Sequence, residues 1–383
     1  MSRGQTGPLA GIKVLEIQSL GPGPFAGVML SDFGADVVRI ERLENVAAQS
    51  DERPLDFLAR GRRSVGIDLK NPDGVQLVLQ MVEQADVLIE GFRPGVMERL
   101  GLGPEPCMAR NPGLVYGRVT GFGQKGPWAS YAGHDINYIS LSGALWSIGR
   151  DGEAPVPPLN YVGDFGGGGM LLTLGVCAAL VERAGSGVGQ VIDAAMVDGS
   201  ALFNGFMYGM RAAGLWSEER GANVLDTGAP FYDTYETSDG RWVSVGALEP
   251  NFFANLVAAL DLDFDPSDQN DRTRWESLRA ELTATFKTRT RDEWCILLES
   301  ADACFAPVLS PWEAPAHPQS VARESFTVSG GVLQPSPAPR FDRTPARIAG
   351  PPPKPGEHTE LVLTTWGIDA GDVRRLKADG VVA

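Results

Sequence analysis

The chain has 383 residues, too many for one ordinary hydrophobic core, so two domains or one elaborated domain are expected. Hydrophobic residues make up 43% and charged residues 21%, as in globular proteins, and no apolar run is expected to be long enough to span a bilayer. A formal net charge of −15 disfavours nucleic acid and anionic membranes as partners, because long-range repulsion opposes both. An anionic small ligand therefore needs a local basic pocket.

Residues 9–98 alternate short β-rich runs with helical patterns. Strands are predicted at residues 13–17, 36–40 and 86–89, and helices at residues 25–33 and 72–84. Strand, helix and strand in this order favour a parallel α/β layer.

The next hundred residues continue the same layer. Further strands are predicted at residues 114–119 and 190–193. Residues 166–183 are apolar on most faces and begin with glycines, which predicts a largely buried helix, and a second apolar helix is predicted at residues 194–213.

The character of the chain changes after residue 223. Two alternating segments joined by Ser238, Asp239 and Gly240 predict a hairpin, which begins a smaller α+β domain. Its helices are predicted at residues 251–260, 274–286 and 291–300. A proline-rich linker is predicted at 334–355, and residues 358–383 are predicted to be helical and to return to the first domain.

The N-terminus and the cysteines bear on location and on metal binding. The first eight residues lack the apolar segment of a secretory signal, and the last residues are not a peroxisomal address, so a cytoplasmic protein is expected. The cysteines lack CxxC spacing and only three histidines are present, so no zinc site is predicted. The cysteines are expected to be buried thiols; they are Cys107, Cys177, Cys295 and Cys304.

A glycine turn follows the first predicted strand. Residues 21–26 (GPGPFA), with Glu41 at the end of the next strand, match a dinucleotide-binding fingerprint. That fingerprint uses backbone N–H groups at a helix start to hold the pyrophosphate, and Pro22 and Pro24 have none to donate. A tight turn that packs a helix on the sheet is therefore the favoured interpretation.

Three short segments hold the side chains that suggest chemistry. His134 lies in GHDINY, Asn160 and Asp164 precede the glycine-opened helix, and Glu249 lies in GALEP. Each signal is weak alone, because a single histidine is usually structural and an aspartate before a helix is usually its N-cap.

In combination these segments resemble the α-methylacyl-CoA racemases of the family III CoA-transferase (CaiB/BaiF) superfamily. The resemblance extends from residue 9 to at least residue 347. It rests on GPGPFAGVMLSDFGADVVRIER, GRRSVGIDLK, EGFRPGVMERLGLGP, VGDFGGGG, GQVIDAAMVDGSA and GAPFYDTYETSDGR. The departures, at residues 43–60 and in the proline-rich tail, do not include the positions of interest.

The resemblance implies a role for each of these residues. His134 and Asp164 match the two acid/base positions, Glu249 matches the carboxylate that pairs with the histidine, and Asn160 matches a side chain near the aspartate. The positions that match the coenzyme A site are Arg42, Ile67, Asp68, Leu69, Lys70, Gly95, Val96, Met97, Arg99, Gly133, Ile136, Asn137 and Tyr138.

The implied chemistry fits these residue types. Inverting a carbon by 1,1-proton transfer requires a base on one face and an acid on the other. Asp164 is expected to be kept ionised by the free N–H groups at a helix start. Glu249 is expected to fix the tautomer of His134 and to stabilise its imidazolium form. The N–H of Asp135 is the candidate donor to the enolate oxygen.

Two alternatives remain open. In a family III CoA-transferase, Asp164 attacks the thioester, expels the CoA thiolate and forms an acyl-aspartyl anhydride. The thiolate then attacks the aspartyl carbonyl, which releases the acid and leaves an aspartyl-CoA intermediate. Such enzymes generally lack the histidine and carry an oligoglycine flap where this chain has DTGAPFY at residues 226–232. A non-catalytic acyl-CoA-binding protein needs Arg42 and Lys70 but neither His134 nor Glu249. The retained histidine favours the racemase, which interconverts (2R)- and (2S)-2-methylacyl-CoA.

The resemblance also implies the architecture. A large Rossmann-like α/β domain is expected from residues 1–213 and 334–383, and linker plus small α+β domain from residues 214–333. Two chains are expected to interlock as a homodimer with the active site at the subunit interface. No metal or cofactor is expected, since coenzyme A enters as part of the substrate.

Overall fold

The computed structural model describes residues 6–48, 50, 52 and 54–383, and the remaining positions of the predicted first domain lie outside the described residues. The described chain forms two compact units. Unit 1 contains the described residues up to 142 together with residues 158–203 and 324–383. Unit 2 contains residues 143–157 and 204–323.

The elements are numbered in chain order. The strands are β1 (Lys13–Ile17), β2 (Asp36–Glu41), β3 (Arg63–Gly66), β4 (Val87–Glu90), β5 (Val115–Thr120), β6 (Val191–Ala195), β7 (Tyr232–Glu236), β8 (Trp242–Gly246), β9 (Phe305–Val308), β10 (Phe326–Ser329) and β11 (Val332–Pro335). The α-helices are α1 (Pro22–Asp32), α2 (Leu43–Ala47), α3 (Pro72–Val82), α4 (Val96–Arg99), α5 (Pro104–Arg110), α6 (Asp135–Leu141), α7 (Leu171–Ser186), α8 (Met196–Phe203), α9 (Gly205–Ala212), α10 (Pro250–Leu260), α11 (Trp275–Phe286), α12 (Arg291–Leu298), α13 (Pro318–Ala322), α14 (Thr359–Thr365) and α15 (Ala370–Ala378).

Unit 1 is built on a parallel sheet with the strand order β3-β2-β1-β4-β5-β6. This is the doubly wound order, in which the direction of winding reverses between β1 and β4. The prediction of an α/β fold with a parallel sheet is confirmed. Ligands in such folds bind in the crevice at the carboxyl ends of the strands on either side of the reversal.

The sheet is covered on both faces. Successive residues of β1 point to opposite sides, so Leu15 belongs to one hydrophobic core and Val14 to the other. The core around Leu15 includes Trp366 and Leu376 from the last part of the chain, so these residues return to unit 1 as expected. The core around Val14 includes residues of α1 and α7.

Unit 2 contains the antiparallel sheet β7-β8-β9. The predicted hairpin is present, with the N–H of Thr237 donating to the carbonyl of Arg241 across the turn. Helices α10, α11 and α12 pack on this sheet around an aromatic core that includes Phe253 and Phe286.

The unit boundaries differ from the predicted ones. The chain leaves unit 1 for residues 143–157, leaves it again after residue 203 and returns at residue 324. The apolar helix predicted at 194–213 is two helices, α8 and α9, separated at Asn204. The predicted linker at 334–355 begins inside β11, which pairs with β10 in unit 1.

Two expectations were wrong, one about the length of apolar runs and one about the burial of the cysteines. Residues 161–186 form one continuous helical stretch that is long and apolar enough to cross a membrane by length and composition, although no such run was predicted. Length and composition do not separate a membrane span from a core helix, and α7 packs on the sheet of unit 1. Among the cysteines only Cys107 is buried, whereas Cys304 is exposed.

Candidate active site

A pocket of about 990 Å³ lies at the carboxyl ends of the central strands of unit 1. Residues 18–22 follow β1, Arg42 and Asn45 follow β2, residues 91–94 follow β4, and residues 121–122 follow β5. The pocket therefore occupies the crevice that this strand order provides for a ligand.

His134 lies on the wall of this pocket, directly before α6. Its side chain is exposed, and its backbone N–H donates a hydrogen bond to Asn137 Oδ1 at 3.0 Å. Tyr138 is buried beneath the same segment, and its hydroxyl donates to the carbonyl of Gly133. These contacts hold the histidine at the pocket surface while leaving its imidazole accessible.

Asp164 lines the same pocket from another segment. It lies in the first turn of a π-helical segment, Tyr161–Met170, which continues into α7. The ring of Phe165 stacks on Phe25 of α1 with ring centroids 4.5 Å apart, which fixes this segment on α1. Asn160 Nδ2 donates to Asp164 Oδ2 at 3.3 Å, so Asn160 lies near the aspartate as predicted.

The glycine turn lies against the Asp164 carboxylate. Gly21 has φ 66° and ψ −112°, a conformation that favours glycine. A Cβ atom at this position would lie 3.0 Å from Asp164 Oδ2. The turn therefore contributes to the site by leaving space for the carboxylate, and it also starts α1 at Pro22.

The Asp164 carboxyl does not have the electrostatic surroundings expected for a helix start. Burial, aided by the charge of Asp135, raises the pKa of Asp164 above its ordinary value, although Asn160 and His134 oppose the shift. The expectation that the helix start favours the ionised form is not met, because burial outweighs the hydrogen bond from Asn160. The Asp164 N–H donates to the Asp135 carboxylate. A raised pKa suits a carboxyl group that must both take and return a proton.

The Asp135 side chain makes a contact that the sequence did not indicate. Its side chain is buried, and Oδ2 accepts the hydrogen bond from the Asp164 N–H at 2.6 Å. The other oxygen, Oδ1, is buried without a hydrogen-bond partner among the described residues. From the sequence, a role is expected only for its backbone N–H.

Part of the predicted coenzyme A site lines the pocket. Arg42, Gly133, Asn137 and Tyr138 do so. Arg93, which follows β4, also lines it and was missed, although the basic residue in EGFRPG was a signal that the sequence offered.

The other predicted coenzyme A residues lie elsewhere in unit 1. Ile67 and Met97 are fully buried in the hydrophobic core, so their side chains serve packing. Lys70 is exposed and its Nζ lies 3.4 Å from Glu44 Oε1. The remaining predicted positions outside the pocket lining are Asp68, Leu69, Gly95, Val96, Arg99 and Ile136.

Glu249 belongs to unit 2, whereas His134 and Asp164 belong to unit 1. It is exposed and directly precedes α10. Burial and then the charge of Glu249 raise the pKa of the Cys304 thiol, so these two side chains are neighbours within unit 2. The pairing of Glu249 with His134 stays a prediction.

The sequence profile of CoA-transferase family III matches residues 9–359. The chain belongs to CoA-transferase family III. The predicted family is therefore confirmed over nearly all of the described residues. The pocket at the carboxyl ends of the sheet is the site in which the chemistry of such a fold is expected.

Two relatives are similar to this chain in sequence, and one solved structure is similar to it in fold. The chain is 47% identical to mouse α-methylacyl-CoA racemase, covering 98% of this chain and 97% of the relative. It is 42% identical to the human protein of the same name over the same shares of each chain. A CaiB/BaiF family protein from Brucella suis has a TM-score of 0.79 at 27% identity, covering 94% of this chain and all of that chain (100%).

Proposed function

We propose that this protein is an α-methylacyl-CoA racemase that interconverts (2R)- and (2S)-2-methylacyl-CoA by 1,1-proton transfer. The observation that carries the proposal is one pocket lined by both His134 and Asp164, from two different segments of unit 1. The two relatives named as racemases support the substrate class.

The reaction divides into two proton transfers. One group removes the α-proton, the electron pair passes into the thioester carbonyl to form an enolate, and the other group delivers a proton to the opposite face of the carbon. The Asp135 N–H, in the first turn of α6, is proposed to donate to the enolate oxygen. Both proton-transfer groups are side chains, so the proposed reaction requires no metal or cofactor.

The pocket offers donors for an acidic substrate despite the net charge of −15. Arg42 and Arg93 line it, and guanidinium groups form strong charge-assisted hydrogen bonds with phosphate. We place the phosphates of coenzyme A with these side chains and the acyl thioester next to His134 and Asp164.

A homodimer is part of the proposal. Helix α7 exposes Leu174 by 64% and Val181 by 76%, and α9 exposes Phe206 by 57%. Large apolar side chains this exposed on helices are typical of surfaces that another chain covers. Glu249 is proposed to pair with His134 in the assembled site, and the cytoplasm is the proposed location.

The test is α-deuterium uptake by a 2-methylacyl-CoA in heavy water, with no acceptor acid present. NMR should show deuterium at the α-carbon together with loss of optical purity. His134→Ala and Asp164→Ala should each lose about 10²- to 10⁴-fold in rate, the usual contribution of general acid–base catalysis.

CoA transfer uses the same aspartate and is the outcome that would overturn the proposal. In that case no α-exchange is seen, coenzyme A moves to an added carboxylic acid, and His134→Ala retains its turnover. A hydroxylamine-sensitive acyl group on Asp164 would then identify the anhydride intermediate.

A further inference from the structure

One side chain joins the two segments that hold the proposed acid/base groups. Asp135 directly follows His134 in the chain, and its Oδ2 accepts a hydrogen bond from the backbone N–H of Asp164 at 2.6 Å. The N–H of Gly163 faces the same carboxylate. A single residue is thus covalently attached to the histidine and hydrogen bonded to the backbone that carries the aspartate.

The contact is closely fitted. Only 6% of Asp135 is exposed, and a Cβ atom on Gly163 would lie 2.5 Å from its Oδ2. Glycine at 163 therefore allows the carboxylate to reach the backbone of the neighbouring segment. Gly163, directly before Asp164, and Asp135, directly after His134, therefore form one contact.

This carboxylate is placed at a cost to stability. Its Oδ1 is buried without a partner among the described residues, and an unsatisfied buried polar atom lowers the stability of the folded protein. Asp369 makes the same kind of bond, accepting from the Gly371 N–H at 2.7 Å, but it is exposed at the start of α15. An exposed aspartate can accept a hydrogen bond from a backbone N–H at a helix start without this cost. Helix capping alone therefore does not explain why the Asp135 carboxylate is buried.

We propose that the Asp135 carboxylate is a positioning residue that fixes the separation between His134 and Asp164, an inference that rests on the proposed function. With that separation fixed, the enolate made by one group lies within reach of the proton on the other. A misplacement of about 1 Å at such a site can cost roughly 100-fold in rate.

Loss of this separation has a specific consequence. Proton removal needs only one of the two groups, whereas inversion needs both. When the second group is displaced, the group that took the α-proton exchanges it for a solvent deuteron and returns the deuteron to the same face. The C–H bond is replaced by a C–D bond and the configuration is retained.

Two substitutions separate geometry from charge. Asp135→Asn keeps the shape and one oxygen acceptor but removes the charge. Asp135→Glu keeps the charge but moves the oxygens by one methylene group. Asp369→Ala is the matched control, because it removes a carboxylate bonded to a backbone N–H in unit 1 outside the pocket lining.

The experiment starts from one enantiomer of a 2-methylacyl-CoA in heavy water, with the full-length protein, and is sampled early in the reaction. Deuterium in the recovered starting enantiomer measures exchange, and the opposite enantiomer measures inversion. We expect Asp135→Glu to raise the ratio of exchange to inversion about tenfold or more with KM changed less than about threefold. Asp135→Asn and Asp369→Ala should keep the wild-type ratio.

Two results would overturn the inference. If Asp135→Glu keeps the wild-type ratio, the carboxylate does not set the separation. If Asp135→Asn raises the ratio as much as Asp135→Glu, charge and not position is what the residue supplies. Should Asp135→Glu fail to fold, Asp135→Ala, which removes the acceptor altogether, is expected to raise the ratio in the same way.

The experiment also keeps the two proposals apart. Failure of the proposed function appears in the wild-type protein, as an absence of both exchange and inversion. Failure of the inference appears only in the variants, with wild-type racemisation intact.

Discussion

Gly21→Ala tests whether the glycine turn leaves space for the Asp164 carboxylate. The new Cβ atom would lie 3.0 Å from Asp164 Oδ2, closer than ordinary van der Waals contact, so the carboxylate must move. The backbone at φ 66° and ψ −112° adds a strain of about 1–3 kcal/mol for a residue with a side chain. We expect stability to fall by about that amount and kcat to fall about 10- to 100-fold, since Asp164 is a proposed acid/base group.

Gly380→Ala is the control for backbone strain. Gly380 has φ 69°, and no atom lies within 4 Å of the position that a Cβ atom would take, so the substitution adds strain without a clash. Urea unfolding should show a loss of stability for both variants, and racemisation assays should show a loss of kcat only for Gly21→Ala. A Gly21→Ala protein with wild-type kcat would refute the assigned position of the Asp164 carboxylate.

Three further predictions concern the same pocket. Asn160→Ala removes a hydrogen bond that favours the ionised form of Asp164, so the pKa of Asp164 should rise further. With Asp164 acting as the base, the acidic limb of the pH profile of kcat/KM should move to higher pH. Burial raises the pKa of Asp164, so the ionised carboxylate destabilises the folded protein once the pH has risen through that pKa. Asp164→Asn should therefore stabilise the protein at pH 7, and urea unfolding should show this gain vanishing below the ordinary aspartate pKa. Arg42→Ala should raise KM for the acyl-CoA about tenfold or more and change kcat little in steady-state assays; the opposite pattern would give Arg42 a chemical role.

Much of unit 1 was predictable because its strands are short apolar runs. β1, with the residues KVLEI, was predicted at its observed bounds. β3, with RSVG, was missed, because one arginine and one serine in four residues hide the strand pattern. Arg63 pairs with Asp36 of β2, so the strand is stabilised by a partner distant in the chain. The break between α8 and α9 at Asn204 had a local signal in the sequence, since the next residue is Gly205. The helix-breaking tendency of glycine outweighed the continuous apolar pattern.

The candidate site was predictable only in part. His134, Asn160 and Asp164 were identified by their motifs, and the structure places all three in unit 1, with the first and last on one pocket. The Asp135 contact joins residues 29 positions apart, and no local pattern indicates which backbone group a carboxylate will bind. The raised pKa of Asp164 depends on burial, which motif spacing does not report.

The glycine turn explains how a dinucleotide-like strand order can serve a different ligand. In dinucleotide-binding proteins the helix after β1 offers backbone N–H groups to the pyrophosphate. Here α1 begins with Pro22 and Pro24, which have no N–H to donate, and Gly21 before them makes room for the Asp164 carboxylate. Two side chains in the same crevice can bind an anion instead, since Arg42 and Arg93 are the arginines that line it among the described residues. The start of α1 is thereby free to border the Asp164 carboxylate, the proposed acid/base group, which an anion bound at that position would repel.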